Sequence, residues 1–191
     1  MRRSHLSTLT FALLIVACRG NAATIVNGGF ETGDLTGWTL SGSADFIGIG
    51  SFFPHSGTYA LEAGPVGSLG FVSQSIATVP GADYQLSLWL ANDCGSSLAC
   101  SQSNTFQVSW GNQVVYSAND LPTMDYTQLV FPVPAGGTST DLTLGFRQDQ
   151  FSFYVDDITL QTVPEPSTMV LIGIPCLLMM RRTKCLDRCR T

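Results

Sequence analysis

All but one of the basic residues, and all long apolar runs, lie at the two ends of this 191-residue chain, and this separation limits what the chain can become. Of its nine Lys and Arg residues, only Arg147 lies between residues 24 and 163, whereas that stretch holds twelve Asp and Glu residues, for a formal charge of −11. The phosphate backbone of a nucleic acid would repel such a body. Nucleic acid is therefore excluded as a partner, and the length leaves room for one middle domain.

The first segment, residues 1–23, has the order of a secretory signal peptide. Two arginines precede an apolar run from Leu9 to Ala17, and small residues follow that run. We expect cleavage after Ala22 or Ala23. In an alternative interpretation, residues 15–18 form a lipoprotein signal, and Cys18 is lipidated and becomes the new N-terminus.

The last segment, residues 163–191, also has three parts in order. A Pro-Glu-Pro motif at 164–166 precedes an apolar run at 168–180, and a basic tail follows at 181–191. A helix over that run would be about 20 Å long, against about 30 Å of membrane hydrocarbon. This order resembles the PEP-CTERM sorting signal of Gram-negative bacteria, and the residues that carry the resemblance are Pro164, Glu165, Pro166, Arg181 and Arg182.

The PEP-CTERM resemblance implies a destination. Proteins of that class are held transiently in the inner membrane, cut near the motif by the membrane protease exosortase, and released toward the cell surface or an extracellular polysaccharide matrix. The implied partners are exosortase and the secretion machinery, with membrane contact only through the terminal segments. The alternative is a simple single-pass anchor.

Cysteine use agrees with export. Cys94 and Cys100 are the only cysteines between residues 24 and 163, and we expect them to form a disulfide in an oxidising compartment. The short loop they close is worth about 2 kcal/mol in the loop-entropy model. A zinc site is not expected, since zinc takes four ligands and His55 is the only histidine in this stretch.

The middle of the chain, residues 24–162, alternates apolar and polar residues in short runs between Gly, Pro, Asn and Asp clusters. This period of two predicts an all-β, two-sheet jelly-roll sandwich. On the clearest strand, Leu86, Leu88 and Leu90 are predicted to face the core, and Gly111-Asn112 is predicted to form a hairpin turn. The predicted strands cover residues 24–30, 59–63, 72–79, 84–91, 105–110, 114–116, 126–133, 142–147 and 151–160.

A second resemblance extends over this domain. Its sequence is similar to the galactose-binding-like jelly rolls, a fold that many carbohydrate-binding modules of bacterial glycosidases share. The segments that carry the resemblance are Asn27–Glu31 with Gly37 and Trp38, His55–Leu61, Val79–Tyr84 and Phe153–Ile158.

The galactose-binding-like resemblance implies a structural calcium ion. In such domains the opening motif and the closing Asp-Asp pair meet beside the ion, which nominates Glu31 and Asp157, with Asp156 as a helper. Backbone carbonyls near residues 56 and 57 would complete the shell, because calcium takes six to eight oxygens. In the alternative interpretation, Glu31 caps a loop and the Asp pair lies at a solvated strand end.

Strand parity nominates a sugar-binding surface. Trp89 falls on the polar side of its strand, whereas Trp110 and Trp38 belong to apolar clusters, and a half-exposed Trp beside amides and hydroxyls suits stacking on a sugar. The alternative is that loop residues such as Phe52 and Phe53 cover Trp89. The candidate residues, all predicted to point outward, are Trp89, Gln85, Gln107, Tyr126, Gln128 and Arg147.

Three classes of function follow from these patterns. The favoured class is an exported, non-catalytic protein that binds extracellular polysaccharide, and the second is a purely structural protein of the cell surface or matrix. A glycan-active hydrolase is the least favoured. A Ser-His-Asp arrangement would have to use His55, no nucleophile elbow or phosphate-binding loop is present, and a pair of acids for glycoside hydrolysis has no distinguishing motif.

Overall fold

The computed structural model describes residues 23–95, 103–149 and 151–163, and the secondary structure in these segments is strand, turn and loop. None of the described segments forms a helix with the length and apolarity that crossing a membrane requires. The strands are β1 (Thr39–Gly42), β2 (Ile47–Gly50), β3 (Ala60–Ala63), β4 (Gly70–Ala77), β5 (Asp83–Asp93), β6 (Asn104–Trp110), β7 (Gln113–Asn119), β8 (Met124–Pro134), β9 (Ser139–Gln148) and β10 (Ser152–Thr162).

The strands form two five-stranded antiparallel sheets. The first sheet has the order β1-β4-β9-β6-β7, and the second sheet has the order β2-β3-β10-β5-β8. Most neighbours in each sheet are distant in sequence, as in a jelly roll. The predicted all-β, two-sheet jelly roll is confirmed, and the Gly111-Asn112 hairpin is confirmed by the pairing of Trp110 with Gln113.

The core lies between the two sheets and follows the predicted alternation. Leu86, Leu88 and Leu90 of β5 are fully buried, and so are Leu142, Leu144 and Phe146 of β9. Trp110 and Trp38 also belong to the core, as expected from their apolar neighbours. On every strand, the residues that alternate with the buried ones therefore form the outer face of one sheet or the other.

The predicted N-terminal strand over residues 24–30 is wrong, because these residues form a turn. Asn27 and Phe30 adopt left-handed backbone angles, with φ of 53° and 55°, which a strand cannot contain. The short strands β1 and β2 were not predicted. Their four residues each are too few to show a convincing alternation.

One cysteine of the predicted disulfide lies in the described structure. Cys94 is 3% exposed and is disulfide-bonded. Cys100 lies outside the described residues, as do the signal segment 1–22 and the sorting segment 164–191. The pairing of Cys94 with Cys100 therefore stays a prediction.

The N-terminal turn packs against β10 through a position that only glycine can occupy. The amide of Ile158 donates to the carbonyl of Gly28 at 2.9 Å. A Cβ at Gly28 would overlap the carbonyl oxygen of Ile158, which is backbone and cannot rotate away.

We therefore expect Gly28→Ala to lower the free energy of unfolding by about 2 kcal/mol, because overpacking against backbone forces the turn off β10. The midpoint of urea unfolding measures this loss. Gly48→Ala on β2 is the matched control, since no heavy atom lies within 4 Å of its added Cβ. Equal midpoints for the two variants would contradict the expectation.

Candidate functional site

Four of the six predicted sugar-binding residues share the outer face of the second sheet. Trp89 and Gln85 lie on β5, and Tyr126 and Gln128 lie on the neighbouring β8. Trp89 is directly opposite Gln128 in the register of the two strands. The pairing of β5 with β8 thus brings these four side chains together, with the rings of Trp89 and Tyr126 half-buried.

Loop residues cover both aromatic rings of this face. The ring of His55 stacks on Trp89 with centroids 4.0 Å apart and planes 18° apart. Phe53 stacks on Tyr126 at 5.4 Å, and the Tyr126 hydroxyl donates to the Phe53 carbonyl at 2.7 Å. The predicted alternative named Phe52 and Phe53 as the cover for Trp89, but His55 covers it instead, and Phe52 is 81% exposed.

The other two predicted residues, Gln107 and Arg147, do not reach this face, and their expected placement is corrected. Gln107 lies on β6 and Arg147 on β9, and both strands belong to the first sheet. Alternation along a strand shows that a residue points away from the core, but not to which sheet the strand belongs. The six residues are therefore divided between opposite sides of the sandwich.

The outer face of the first sheet carries an aromatic ring that the sequence analysis missed. Phe71 on β4 is half-buried and pairs with Gly145 on β9. A Cβ added at Gly145 would lie 3.0 Å from the Phe71 ring, so the glycine leaves room for that ring to lie across the sheet. The run predicted as a strand began at residue 72, and alternation extended by one residue would have placed Phe71 outward.

Hydroxyl and amide groups surround Phe71. Gln107 is opposite Gly145 on the far side of β9, so it lies in the same row as the ring. Ser73 and Thr143, paired with each other, form the next row. We call the surface formed by Phe71, Ser73, Gln107 and Thr143 the Phe71 face.

Arg147 lies next to the Phe71 face, but its charge is already paired. Its Nε and Nη2 donate to the two carboxylate oxygens of Asp149 at 2.9 and 2.6 Å. These bonds raise the pKa of Arg147, and they lower the pKa of Asp149. Asp149 also accepts the amide of Gly67 at 2.8 Å, which fixes the carboxylate in place.

The predicted calcium residues meet at the loop that precedes β3. Asp156 is fully buried, and its Oδ2 accepts the amides of His55 at 3.0 Å and Ser56 at 3.1 Å. Burial raises the pKa of this carboxyl. The alternative interpretation, in which the Asp pair lies at a solvated strand end, is therefore wrong for Asp156.

Asp157 and Glu31 hold the same loop. Asp157 pairs with Nδ1 of His55 at 2.7 Å and accepts the Ser56 hydroxyl at 2.8 Å. Glu31 accepts the amides of Thr58 and Tyr59 at 2.9 and 3.0 Å, so it does cap a loop. The Ser56 hydroxyl donates to Asp157 rather than to His55, and this is not the contact by which a histidine activates a serine nucleophile.

These residues fit a calcium ion in part. A Cβ at Gly29 would lie 3.5 Å from Asp157 Oδ1 and 3.7 Å from Asp156 Oδ1, so the glycine leaves a small cradle beside two carboxylate oxygens. Glu31, however, accepts loop amides with both of its carboxylate oxygens, and Asp156 accepts the Ser56 amide. Among the described residues, no group of three or more His, Cys, Asp or Glu side chains is placed to hold a metal ion.

Comparison with solved structures shows where this fold recurs. The chain is similar to TmCBM61 in complex with β-1,4-galactotriose, with 18% identity, 73% of this chain and 97% of that chain covered, and a TM-score of 0.53. It is also similar to the CBM22-1 xylan-binding domain of Xyn10C from Paenibacillus barcinonensis, with 17% identity, 72% and 93% covered, and a TM-score of 0.55. The K3 adhesin domain of Lys-gingipain from Porphyromonas gingivalis gives 14% identity, 73% and 98% covered, and a TM-score of 0.54.

These neighbours establish a shared jelly-roll fold, and carbohydrate-binding modules are among them. At such identities the similarity shows the fold alone. No protein-family model and no curated protein matches the chain.

A calcium ion bound in the cradle would offset the repulsion between Asp156 and Asp157, and it would raise the melting temperature by about 5 °C over the value in chelator. Differential scanning calorimetry in calcium and in EGTA measures the difference. Gly29→Ala is the control, since its Cβ fills the cradle at ordinary contact distances and should remove the calcium shift alone. Identical melting midpoints for the unaltered protein in calcium and in EGTA would exclude a structural calcium ion.

Proposed function

We propose that this domain is a non-catalytic carbohydrate-binding module whose ligand lies on the Phe71 face. The observation that carries the proposal is the half-buried Phe71 ring, seated across Gly145 and surrounded by neutral hydroxyl and amide side chains. A sugar presents an apolar C–H surface and a rim of hydroxyls. An aromatic ring binds the first and short polar side chains bind the second.

The two outer faces differ in how much of their aromatic surface is free. Trp89 and Tyr126 already stack on His55 and Phe53. In the described part of the chain, by contrast, no aromatic ring stacks on Phe71. A ligand on the second sheet would first have to displace the loop, which costs its contacts, whereas the Phe71 face needs no such change.

The fold neighbours support the same class of ligand without defining it. One was solved in complex with β-1,4-galactotriose and another is named as a xylan-binding domain. Galactan and xylan are therefore the first probes for this chain.

We also propose that the protein is exported and processed by exosortase. The two segments that carry this proposal are the signal peptide, 1–23, and the PEP-CTERM segment, 163–191. The last described backbone bond runs from the Val163 amide to the Asp83 carbonyl at 2.8 Å, and the Pro-Glu-Pro motif begins at the next residue. Cleavage near that motif would thus leave every strand pairing among the described residues intact.

For the binding site, we expect Phe71→Ala to weaken retention on a glycan by about tenfold or more, because it removes the apolar surface buried by the sugar. Affinity electrophoresis against galactan, xylan and a panel of bacterial polysaccharides measures retention. Trp89→Ala is the matched control on the opposite sheet and should leave retention unchanged.

The two variants separate the two faces. Loss of retention in Trp89→Ala together with normal retention in Phe71→Ala would place the ligand under the loop that precedes β3, and it would overturn the proposed site. Retention on none of the glycans would favour the purely structural surface protein. A melting curve for each variant shows that the fold is intact.

For export, we expect the mature protein to lack the leader through Ala22 or Ala23 and the tail beyond Pro166. Intact-mass spectrometry of protein recovered from the producing cells and their matrix tests this expectation. A Glu165→Ala variant is the control and should keep its tail. Recovery of the full-length chain from the cytosol would contradict export.

A further inference from the structure

We propose that the glycan recognised by this domain carries no acidic groups, neither carboxylates nor sulfates. The inference rests on the proposed function, since it concerns the ligand of the Phe71 face. It follows from the charges on and near that face, which are independent of the aromatic ring that carries the function itself.

The cation nearest the Phe71 face is already paired with a carboxylate. Arg147 is the only Lys or Arg between residues 24 and 163. Its Nε and Nη2, which form one edge of the guanidinium, are held by Asp149 in the bidentate geometry that a sugar carboxylate would otherwise occupy, and the carboxylate neutralises the arginine charge. His55 is paired with Asp157 and stacked on Trp89, so it serves the second sheet.

The charge that remains near the Phe71 face is negative. Asp141 on β9 is exposed, and it lies two residues from Thr143 on the outward side of the strand. It pairs in register with Ser75 of β4, so it continues the same surface. An acidic polysaccharide lying along this surface would meet Asp141 within one Debye length, about 10 Å at 0.1 M salt, without a compensating cation.

The remaining groups of the face suit a neutral ligand. Ser73, Gln107 and Thr143 offer hydroxyl and amide hydrogen bonds, which pair with sugar hydroxyls without a net charge. The same groups do not repay the desolvation of a carboxylate or a sulfate, which needs a charged partner. Charge therefore selects the class of glycan, while Phe71 supplies the apolar contact.

Matched polysaccharide pairs test the inference by affinity electrophoresis of the full domain at 20 mM and 500 mM salt. Polygalacturonate is paired with its carboxyl-reduced form, and glucuronate-bearing xylan with unsubstituted xylan, so that each pair differs only in its acidic groups. We expect Phe71-dependent retention by at least one neutral member and at least tenfold weaker retention by its acidic counterpart at 20 mM salt.

The outcomes separate the inference from the function on which it rests. Phe71-dependent retention by the acidic member, as strong as by the neutral one, overturns the inference and leaves the function standing. Retention that does not change in Phe71→Ala, or no retention by either member, overturns the proposed function and the inference with it.

Releasing Arg147 gives a second test that does not depend on the Phe71 variant. Asp149→Asn keeps an oxygen for the Gly67 amide but removes the charge that holds Arg147. We expect this variant to gain about tenfold in retention on polygalacturonate at 20 mM salt, the effect of one charge-assisted contact, and to lose the gain at 500 mM. The double variant Asp149→Asn/Arg147→Gln should show no gain, and an equal gain in both variants would overturn the role assigned to Arg147.

Discussion

Alternation of side chains along antiparallel strands is the constraint on which the rest of this structure depends. Each strand gives one set of side chains to the core, as Leu86, Leu88 and Leu90 do on β5. The other set necessarily forms an outer face, and two five-stranded sheets make two such faces. A ligand of this domain could therefore bind on either face, and the two faces differ in what already covers their aromatic rings.

Asp156 and Asp157 decide which face is covered, because they hold the loop that precedes β3. Asp156 is buried and accepts the amides of His55 and Ser56, while Asp157 fixes the His55 ring. Held in this way, His55 covers Trp89 and closes the second sheet. Among the described residues, no aromatic ring covers Phe71 on the first sheet. The aromatic surface open to a ligand is therefore the one on the first sheet.

Charge acts on a longer scale than these contacts. A domain with one arginine and twelve acids is repelled by polyanions, and the pairing of Arg147 with Asp149 removes the single cation that could offset this. Neutral hydroxyl-rich ligands are not subject to that repulsion. The fold alone does not choose among ligands, because jelly rolls serve many roles, whereas the charge of this chain narrows the choice.

The sequence by itself determined the fold class, most strand positions, the core alternation and the outward direction of Trp89, Gln107 and Arg147. These follow from a period of two, which is a local property of the chain. Only the tertiary structure decided that Gln107 and Arg147 lie on the opposite sheet from Trp89, and that His55 covers the indole ring. The contact that sets this cover joins His55 to Asp156, 101 residues away. No local pattern encodes such a contact, because it exists only once the strands between those residues have paired. The turn at residues 24–30, with positive φ angles at Asn27 and Phe30, was missed for a related reason: it packs against β10 through the bond from the Ile158 amide to the Gly28 carbonyl, which is also distant in sequence.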